Sequence, residues 1–323
     1  MQSCLVEIRP ERSSTWTLTA LLVLVFYATP SNAQSMTIFD ETIPSGRNFD
    51  KAEFRLWIPQ NLTQIRAVVV LIPGSNGDGR PEVNDAVWQK FATQFGLALL
   101  GCRFTDKPHD QSFIEEYVNV SLGSGQALLD ALDALGKRAQ HLELSTTPLF
   151  LWGMSAGGQF NYEFVAWKPE RVAAFVVNKG GIYYSALLSK TARSVPGILF
   201  VGGKDLEFRT NTITGLFAVN RRGGALWALA EEPAAAHVVG RSRELALAFF
   251  EDVLPLRLPE TTVSSQPVTS SAISESSGFL GDLKTKTTQK QAGAAPNYPT
   301  AWLPTARVAR MWEAMINERP FAP

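Results

Sequence analysis

Residues 148–158 read PLFLWGMSAGG, a short apolar run that passes directly into a turn of small residues. The run has the length and composition of a buried strand, and the residues that follow it have the apolar spacing of a helix. Ser155 stands at the centre of the turn, with Gly153 two positions before it and Gly157 two positions after. A serine on so sharp a turn has a strained backbone, so its neighbours must be very small. The stretch predicts a strand, a tight turn that projects the Ser155 hydroxyl, and a helix.

Outward from this turn, short β-branched runs alternate with longer amphipathic stretches, beginning at about residue 52. The predicted strands are 52–58, 66–72, 97–103, 148–152, 172–177, 198–202 and 225–229. The predicted helices are 82–95, 120–139, 156–167, 209–220 and 241–253. Runs such as AVVVLI at 67–72 are apolar on both faces, as buried parallel strands must be when helices cover each side. The pattern predicts an α/β fold, with a mostly parallel sheet of about eight strands and helices on both faces.

The composition excludes several classes of protein. The chain has 323 residues, of which 45% are hydrophobic, so it can bury one large core. Its 30 Lys and Arg balance its 30 Asp and Glu, which removes the positive charge expected of a nucleic-acid binder. Two Cys and three His provide too few ligands for a zinc site, an iron–sulfur cluster or a disulfide framework. We expect no metal and no cofactor, with any catalysis carried by ordinary side chains.

The amino-terminal residues have the pattern of an export signal. Arg9 and Arg12 precede an apolar run at 18–28, and small residues follow as far as Ala33. This order predicts a signal peptide over 1–33 that is cleaved near Ala33. The apolar run is shorter than a membrane span, so we expect a secreted or periplasmic protein with no stable membrane insertion after the leader is removed.

The composition changes again after the α/β region, so that 34–258 is the predicted catalytic domain. Residues 259–298 are rich in Ser, Thr, Gln and Lys and contain few large apolar groups, which predicts a flexible segment. Beyond it, apolar residues recur at helical spacing behind Pro304. Residues 299–323 are therefore predicted to contain a helix that docks on the catalytic domain.

In this setting the Ser155 turn resembles the nucleophile turn of the α/β-hydrolase family, and the likeness covers about residues 50–255. The stretch 153–174, with its Ser-Ala-Gly-Gly core and KPERVAA at 168–174, is similar to the secreted polyester (polyhydroxybutyrate) depolymerase and feruloyl esterase branch. The resemblance implies a serine nucleophile, then an acid, then a histidine in chain order. It also implies hydrolysis of carboxylic esters.

Three histidines compete for the role of base. In a parallel sheet, functional groups collect beyond the carboxyl ends of the strands. His141 precedes a predicted strand and so belongs to the opposite edge. His109 follows strand 97–103 at the functional edge but precedes the nucleophile in sequence, which suits a substrate-binding or surface role. His237 follows the last predicted strand, where the family carries its base.

The acid and the oxyanion hole are assigned from the same resemblance. Asp205 follows strand 198–202, where the family usually has its acid, and is expected to accept the Nδ1–H of His237; Glu207 is the competitor. Ala156 is expected to supply one oxyanion-hole N–H. The loop after strand 66–72 supplies the other, from Ser75 or, as the alternative, Asn76.

The substrate class is inferred from the length of the connection between two predicted strands. About twenty residues separate strand 172–177 from strand 198–202, too few for a large helical lid, so an open cleft is expected. Secretion and an open cleft suit bulky or polymeric esters such as acylated polysaccharides, feruloyl esters or polyesters. Tyr183, Tyr184 and His109 are the predicted substrate-binding residues. Two alternatives remain: a serine peptidase of the same fold, and a non-catalytic binding module on a hydrolase scaffold. The oligomeric state stays open.

Overall fold

Eight strands form the central sheet, and their order determines where the Ser155 turn lies. The computed structural model describes residues 37–111, 113–258, 270–291 and 299–321. The strands are β1 Ile38–Ile43, β2 Lys51–Trp57, β3 Ala67–Ile72, β4 Leu97–Thr105, β5 Leu149–Gly153, β6 Val172–Asn178, β7 Gly197–Gly202 and β8 Trp227–Glu232. They are ordered β1-β2-β4-β3-β5-β6-β7-β8. Strand β2 is antiparallel to β1 and β4, and the six strands β3–β8 are parallel to one another. The turn after β5 therefore lies at the carboxyl edge, near the centre of the sheet.

Helices cover both faces of this sheet. They are α1 Ala86–Phe95, α2 Ser124–Ala139, α3 Ala156–Trp167, α4 Lys190–Arg193, α5 Glu207–Arg222, α6 Ser242–Arg257 and α7 Ala306–Ile316. Alternate residues of β3 face the two sides, so Val68 and Val70 join a core with α2, α3 and α5. Ala67 and Val69 join a second core with α1, α6 and α7. The predicted α/β fold is confirmed, and the strand bounds agree with β2–β8 to within three residues.

The differences between the predicted and the observed elements have local causes. Strand β1 was not predicted because its sequence, IFDETI, is only half buried at the antiparallel edge of the sheet. The helix predicted at 82–95 begins later, at Ala86, because the Asp85 side chain accepts the N–H groups of Val87 and Trp88 and caps it there. The connection between β6 and β7 contains only the four-residue helix α4. No large helical lid is present in that connection.

The flexible segment predicted over 259–298 is wrong for residues 270–291. This part contains β9 Phe279–Asp282 and β10 Thr287–Lys290, which form a three-stranded antiparallel sheet with β11 Ala301–Leu303. Trp302 and Trp312, both fully buried, supply the apolar partners that the segment itself lacks. The rest of 259–298 lies outside the described residues.

The helix α7 packs on the catalytic domain, where the Trp312 Nε1–H donates to the carbonyl of Leu229 in β8 at 2.7 Å. The predicted signal peptide lies outside the described residues. Within the part of the chain that is described, no helix is both long and apolar enough to cross a membrane.

Candidate active site

The turn between β5 and α3 holds Ser155 in a strained conformation. Its φ is 54° and its ψ is −122°, values that few non-glycine residues adopt. A Cβ at Gly157 would lie 2.1 Å from the carbonyl oxygen of Ile72, and one at Gly153 would lie 2.3 Å from the backbone of Gly157. The Ser155 N–H donates to the carbonyl of Asn178 at 2.8 Å, which ties the turn to β6. The two glycines are therefore required by contact with backbone.

Three side chains from separate loops meet at this edge. The Nε2 of His237, in the loop after β8, lies 3.0 Å from Ser155 Oγ. The Nδ1 of the same ring lies 2.8 Å from Asp205 Oδ2, in the loop after β7. With Nδ1–H donated to the carboxylate, Nε2 carries the lone pair that can accept the serine proton. The structure thus brings together the three residues that the sequence selects.

Asp205 is held as an acceptor by its surroundings. Its side chain is only 2% exposed, and its Oδ1 accepts the Leu206 N–H at 2.7 Å and the Arg209 guanidinium at 3.0 Å. Burial raises the pKa of Asp205, but hydrogen bonds from His237, Leu206 and Arg209 outweigh burial and hold the pKa below its ordinary value. The carboxylate therefore stays ionised beside the imidazole.

The competing residues lie elsewhere. Glu207 is exposed and accepts a hydrogen bond from the Asn211 side chain at 3.4 Å. His141 pairs with Glu143, its Nδ1 lying 2.8 Å from the carboxylate. His109 lies in the loop after β4, with Nε2 3.6 Å from Asp106 Oδ2. None of these contacts of Glu207, His141 and His109 involves Ser155.

Two backbone N–H groups near Ser155 are available to an oxyanion. Among the described residues, no oxygen accepts a hydrogen bond from the N–H of Ala156 or of Ser75. The loop bearing Ser75 approaches the nucleophile closely, because a Cβ at Gly74 would lie 3.5 Å from Ser155 Cβ. The alternative donor, Asn76, already donates its N–H to Tyr117 Oη at 3.3 Å. The geometry favours Ser75 over Asn76.

The two predicted tyrosines have different environments. Tyr183 packs edge-on against Tyr162, with ring centroids 5.1 Å apart, and its buried hydroxyl lies against Gly180. The partly buried ring packs against the core, and Gly180 leaves room for its hydroxyl, because a Cβ at Gly180 would lie 2.3 Å from that oxygen. Tyr184 is 48% exposed, and its N–H is anchored by Glu163 Oε1 at 2.7 Å.

An exposed aromatic pair was not predicted from the sequence. Phe113 is 62% exposed and Phe208 is 41% exposed, and their ring centroids lie 6.3 Å apart. The guanidinium of Arg209 lies 5.2 Å from the Phe208 ring while it also contacts Asp205. The pair therefore borders the loop that carries the acid. Phe208 lies in the first turn of α5 and Phe113 in a loop 95 positions earlier, so no local pattern reveals the pair.

A buried ion pair behind the three residues was also missed. The Lys179 side chain is 0% exposed, and its Nζ lies 3.4 Å from Glu232 Oε2 and 3.2 Å from Asn178 Oδ1. Burial lowers the pKa of Lys179, and the charges of Glu232 and Asp205 oppose that fall. The Glu232 Oε1 accepts the Arg241 N–H at 2.9 Å. Glu232 and Arg241 lie at the two ends of the His237 loop, so the hydrogen bond between them joins those ends. The ion pair with Lys179 holds Glu232 in place.

Across the described ranges, no three His, Cys, Asp or Glu residues are grouped so that they could hold a metal ion. The site combines a serine hydroxyl, an imidazole, a carboxylate and, among the described residues, two free amides at the carboxyl edge of a parallel sheet. This arrangement can perform acyl transfer.

The chain is similar to several solved structures. A ferulic acid esterase superposes with a TM-score of 0.51 at 11% identity, over 67% of this chain and 97% of that chain. A poly(3-hydroxybutyrate) depolymerase from Bordetella parapertussis matches at 17% identity, over 66% of this chain and 90% of that one, with a TM-score of 0.49. A poly(aspartic acid) hydrolase from Sphingomonas sp. KT-1 matches at 17% identity, over 65% and 97%, with a TM-score of 0.47. No family model and no curated protein matches the sequence. The chain has an α/β-hydrolase fold.

Proposed function

We propose that the chain is a serine hydrolase of carboxylic esters. The observation that carries the proposal is the continuous hydrogen-bonded series from Asp205 through His237 to Ser155, with the serine on a strained turn at the carboxyl edge of the sheet. The ferulic acid esterase that shares the fold supports an ester as the bond that is cleaved.

The mechanism is a two-step acyl transfer. His237 Nε2 accepts the Ser155 proton while Oγ attacks the ester carbonyl carbon, and the amides of Ala156 and Ser75 stabilise the oxyanion. The bond to the alcohol then breaks, and the alcohol takes the proton from the imidazolium. Water, deprotonated by the same ring, attacks the acyl-enzyme and releases the acid. Asp205 orients the ring and stabilises its protonated form.

Bulky or polymeric esters are the proposed substrates. The connection between β6 and β7 carries no large lid, which supports an open cleft at Ser155. The Phe113–Phe208 pair offers an exposed aromatic surface beside the Asp205 loop. Exposed aromatic side chains contribute most when an apolar group covers them, as the body of a bulky ester would.

Active-site labelling tests the reaction class. A fluorophosphonate probe is expected to label the wild type and to leave Ser155→Ala unlabelled. Asp205→Asn is expected to lower kcat about 10⁴-fold because the imidazole loses its orienting acceptor. Glu207→Gln, the matched control, is expected to keep wild-type kcat. Persistent labelling of Ser155→Ala, or equal losses in the two acid variants, would contradict the proposed site.

A substrate panel tests the bond and the substrate size. We expect hydrolysis of p-nitrophenyl acetate, p-nitrophenyl butyrate and a feruloyl ester, with no cleavage of an aminoacyl anilide. Replacing both Phe113 and Phe208 with Ser is expected to lower kcat/KM for the feruloyl ester by about tenfold and to leave the acetate rate unchanged. Preferential cleavage of the anilide would favour the peptidase alternative.

We also propose that residues 1–33 direct export. The charged start, the short apolar run and the small residues before Gln34 support this assignment. Mass spectrometry of protein recovered outside the cytoplasm is expected to find a mature amino terminus at Gln34. Full-length protein retained in the cytoplasm would contradict it.

A further inference from the structure

Arg241 connects the loop that carries His237 to the chain that follows α7. It stands at the end of that loop, directly before α6, and its backbone N–H donates to Glu232 Oε1 at 2.9 Å. Its guanidinium makes two contacts with residues beyond α7. The Nη1 donates to the carbonyl of Arg319 at 2.9 Å, and the centre of the guanidinium lies 3.9 Å from the centroid of the Phe321 ring.

The segment 317–321 that Arg241 contacts is itself held in place. The N–H of Arg319 donates to the carbonyl of Ala314, in α7, at 2.7 Å. The Asn317 side chain donates to the carbonyl of Lys286, between β9 and β10, at 2.9 Å. The Phe321 ring is partly buried against the core that α6 and α7 share. The segment can therefore serve as a fixed support for a neighbouring loop.

The part of the His237 loop next to Arg241 depends on such a support. On one side of His237, the carbonyl of Ala235 accepts the N–H of Lys204 at 2.9 Å, which ties that side to the loop carrying Asp205. On the other side, residues 238–240 are all exposed. This exposed half ends at Arg241, so the contacts of Arg241 restrict its movement.

The helix that follows the loop is fixed independently of the guanidinium. Ser242 is fully buried in the first turn of α6, and its Oγ accepts the Asn178 side chain at 2.7 Å. On the other side of the loop, Trp312 of α7 donates to the carbonyl of Leu229 in β8 at 2.7 Å. Replacing the Arg241 side chain therefore leaves α6, α7 and β8 in contact, and its effect is expected in the loop rather than in the fold.

We propose that Arg241 is a positioning residue, whose contacts with Arg319 and Phe321 hold the His237 loop in the geometry that catalysis requires. The inference rests on the proposed function, because it takes His237 as the base. The reaction needs Nε2 within hydrogen-bonding distance of Ser155 Oγ, and a displacement of about 1 Å can cost about 100-fold in rate. A loop with more freedom holds the ring in reach for a smaller fraction of the time, which lowers kcat.

Steady-state hydrolysis of p-nitrophenyl acetate tests this role. Arg241→Met removes both contacts and is expected to lower kcat by about five- to tenfold, with KM within about twofold of wild type. Arg241→Lys keeps a cation and a donor and is expected to restore kcat to within about twofold. The control is Arg243→Met, two positions further on, whose guanidinium pairs with Asp85 at 3.1 Å. It is expected to keep wild-type kcat.

Variants of the ring test whether the two residues act through one contact. Phe321→Leu keeps an apolar side chain but removes the ring face, and is expected to lower kcat by about two- to fivefold. Phe321→Trp keeps a ring face and is expected to retain kcat within about twofold. The double variant, Arg241→Met with Phe321→Leu, is expected to lose no more than Arg241→Met alone, because the second change removes a contact that is already lost.

Hydrogen exchange separates positioning from a general loss of structure. We expect faster amide exchange in residues 237–240 of Arg241→Met, with the midpoint of urea unfolding close to that of the wild type. A purely structural role would instead lower the urea midpoint and leave the kcat of the folded variant unchanged, which would contradict the inference.

The outcomes also separate the inference from the proposed function. Wild-type kcat in Arg241→Met, or losses in the two single variants that multiply in the double variant, would overturn the inference and leave the esterase proposal standing. A wild type that neither reacts with the fluorophosphonate probe nor hydrolyses any ester would overturn the proposed function, and the inference with it. If Arg241→Met does not fold, the inference is judged by the loss in Phe321→Leu and its recovery in Phe321→Trp.

Discussion

Gly157 lies so close to the end of β3 that any side chain would displace backbone. A Cβ at this position would lie 2.1 Å from Ile72 O. We expect Gly157→Ala to destabilise the fold by about 1–3 kcal/mol and to abolish fluorophosphonate labelling, because Ser155 must move. Gly215→Ala, in the exposed part of α5, meets no atom within 4 Å and is expected to stabilise by about 0.5–1 kcal/mol. Urea unfolding and labelling check both variants; wild-type labelling of Gly157→Ala would contradict this account of the turn.

Glu82 links stability to pH. Burial, followed by the charge of Asp85, raises its pKa from 4.5 to about 6, and Arg243 opposes the rise. The folded state keeps the proton to a higher pH than the unfolded state, so stability falls as pH rises from about 4.5 to about 6. The 1.5-unit difference corresponds to about 2 kcal/mol.

We therefore expect Glu82→Gln to stabilise the protein by up to about 2 kcal/mol at pH 7.5 and to have no effect at pH 4. Urea unfolding at the two pH values measures the difference. Glu170→Gln, at an exposed position, is expected to change stability by less than about 0.5 kcal/mol at both. An equal effect of Glu82→Gln at the two pH values would contradict the pKa assigned to Glu82.

At the scale of elements, the loop between β8 and α6 must hold His237 in place. Glu232 ends β8, accepts the Arg241 N–H across the loop and pairs with buried Lys179. We expect Glu232→Gln to lower kcat with little change in KM, and to speed amide hydrogen exchange in residues 233–241. The expected loss of stability at pH 7 is about 1–3 kcal/mol, because Lys179 loses its counter-charge.

This loss is expected to shrink as pH rises towards 9.5. Burial lowers the pKa of Lys179 in the folded state, whereas an unfolded lysine keeps its proton to about pH 10.4. Between these two pKa values the unfolded state binds more protons than the folded state, so stability rises with pH. The rise is steeper in Glu232→Gln, because the neutral side chain no longer supports the charge of Lys179. Glu231→Gln, its exposed neighbour in β8, is the matched control. Unchanged exchange in the His237 loop of Glu232→Gln would contradict the role assigned to this carboxylate.

At the scale of the whole molecule, the carboxy-terminal elements share a core with the catalytic sheet. Trp312 of α7 is fully buried among residues of α6 and β8, and it bonds to Leu229. We expect Trp312→Ala to lower the unfolding free energy by about 3–5 kcal/mol while unfolding remains a single transition. The exposed neighbour Arg310→Ala is expected to change it by less than about 0.5 kcal/mol. Two separate urea transitions would show that the carboxy-terminal elements unfold independently.

The features that the sequence predicts well are those that depend on residues close together in the chain. The strands β3–β8 are recognisable because a buried parallel strand is a continuous apolar run, and β2 because buried residues alternate with partly exposed ones. The Ser155 turn is recognisable because its backbone requires glycine at two nearby positions. Strand β1 and the hairpin of β9 and β10 escaped prediction because their apolar residues are few and are not arranged in a continuous run. Their apolar partners lie elsewhere in the chain.

The amino-acid sequence by itself determined the alternation of strands β2–β8 with helices and the strained turn at Ser155, which follow from periodicity and from small residues near the serine. The chain order of a serine, an acid and a histidine came from the resemblance to the α/β-hydrolase family. Only the tertiary structure decided between Asp205 and Glu207, turned Tyr183 inward, and paired Lys179 with Glu232, 53 residues away. The reason is that burial and hydrogen bonding depend on which distant segments meet, and a linear pattern does not contain that information.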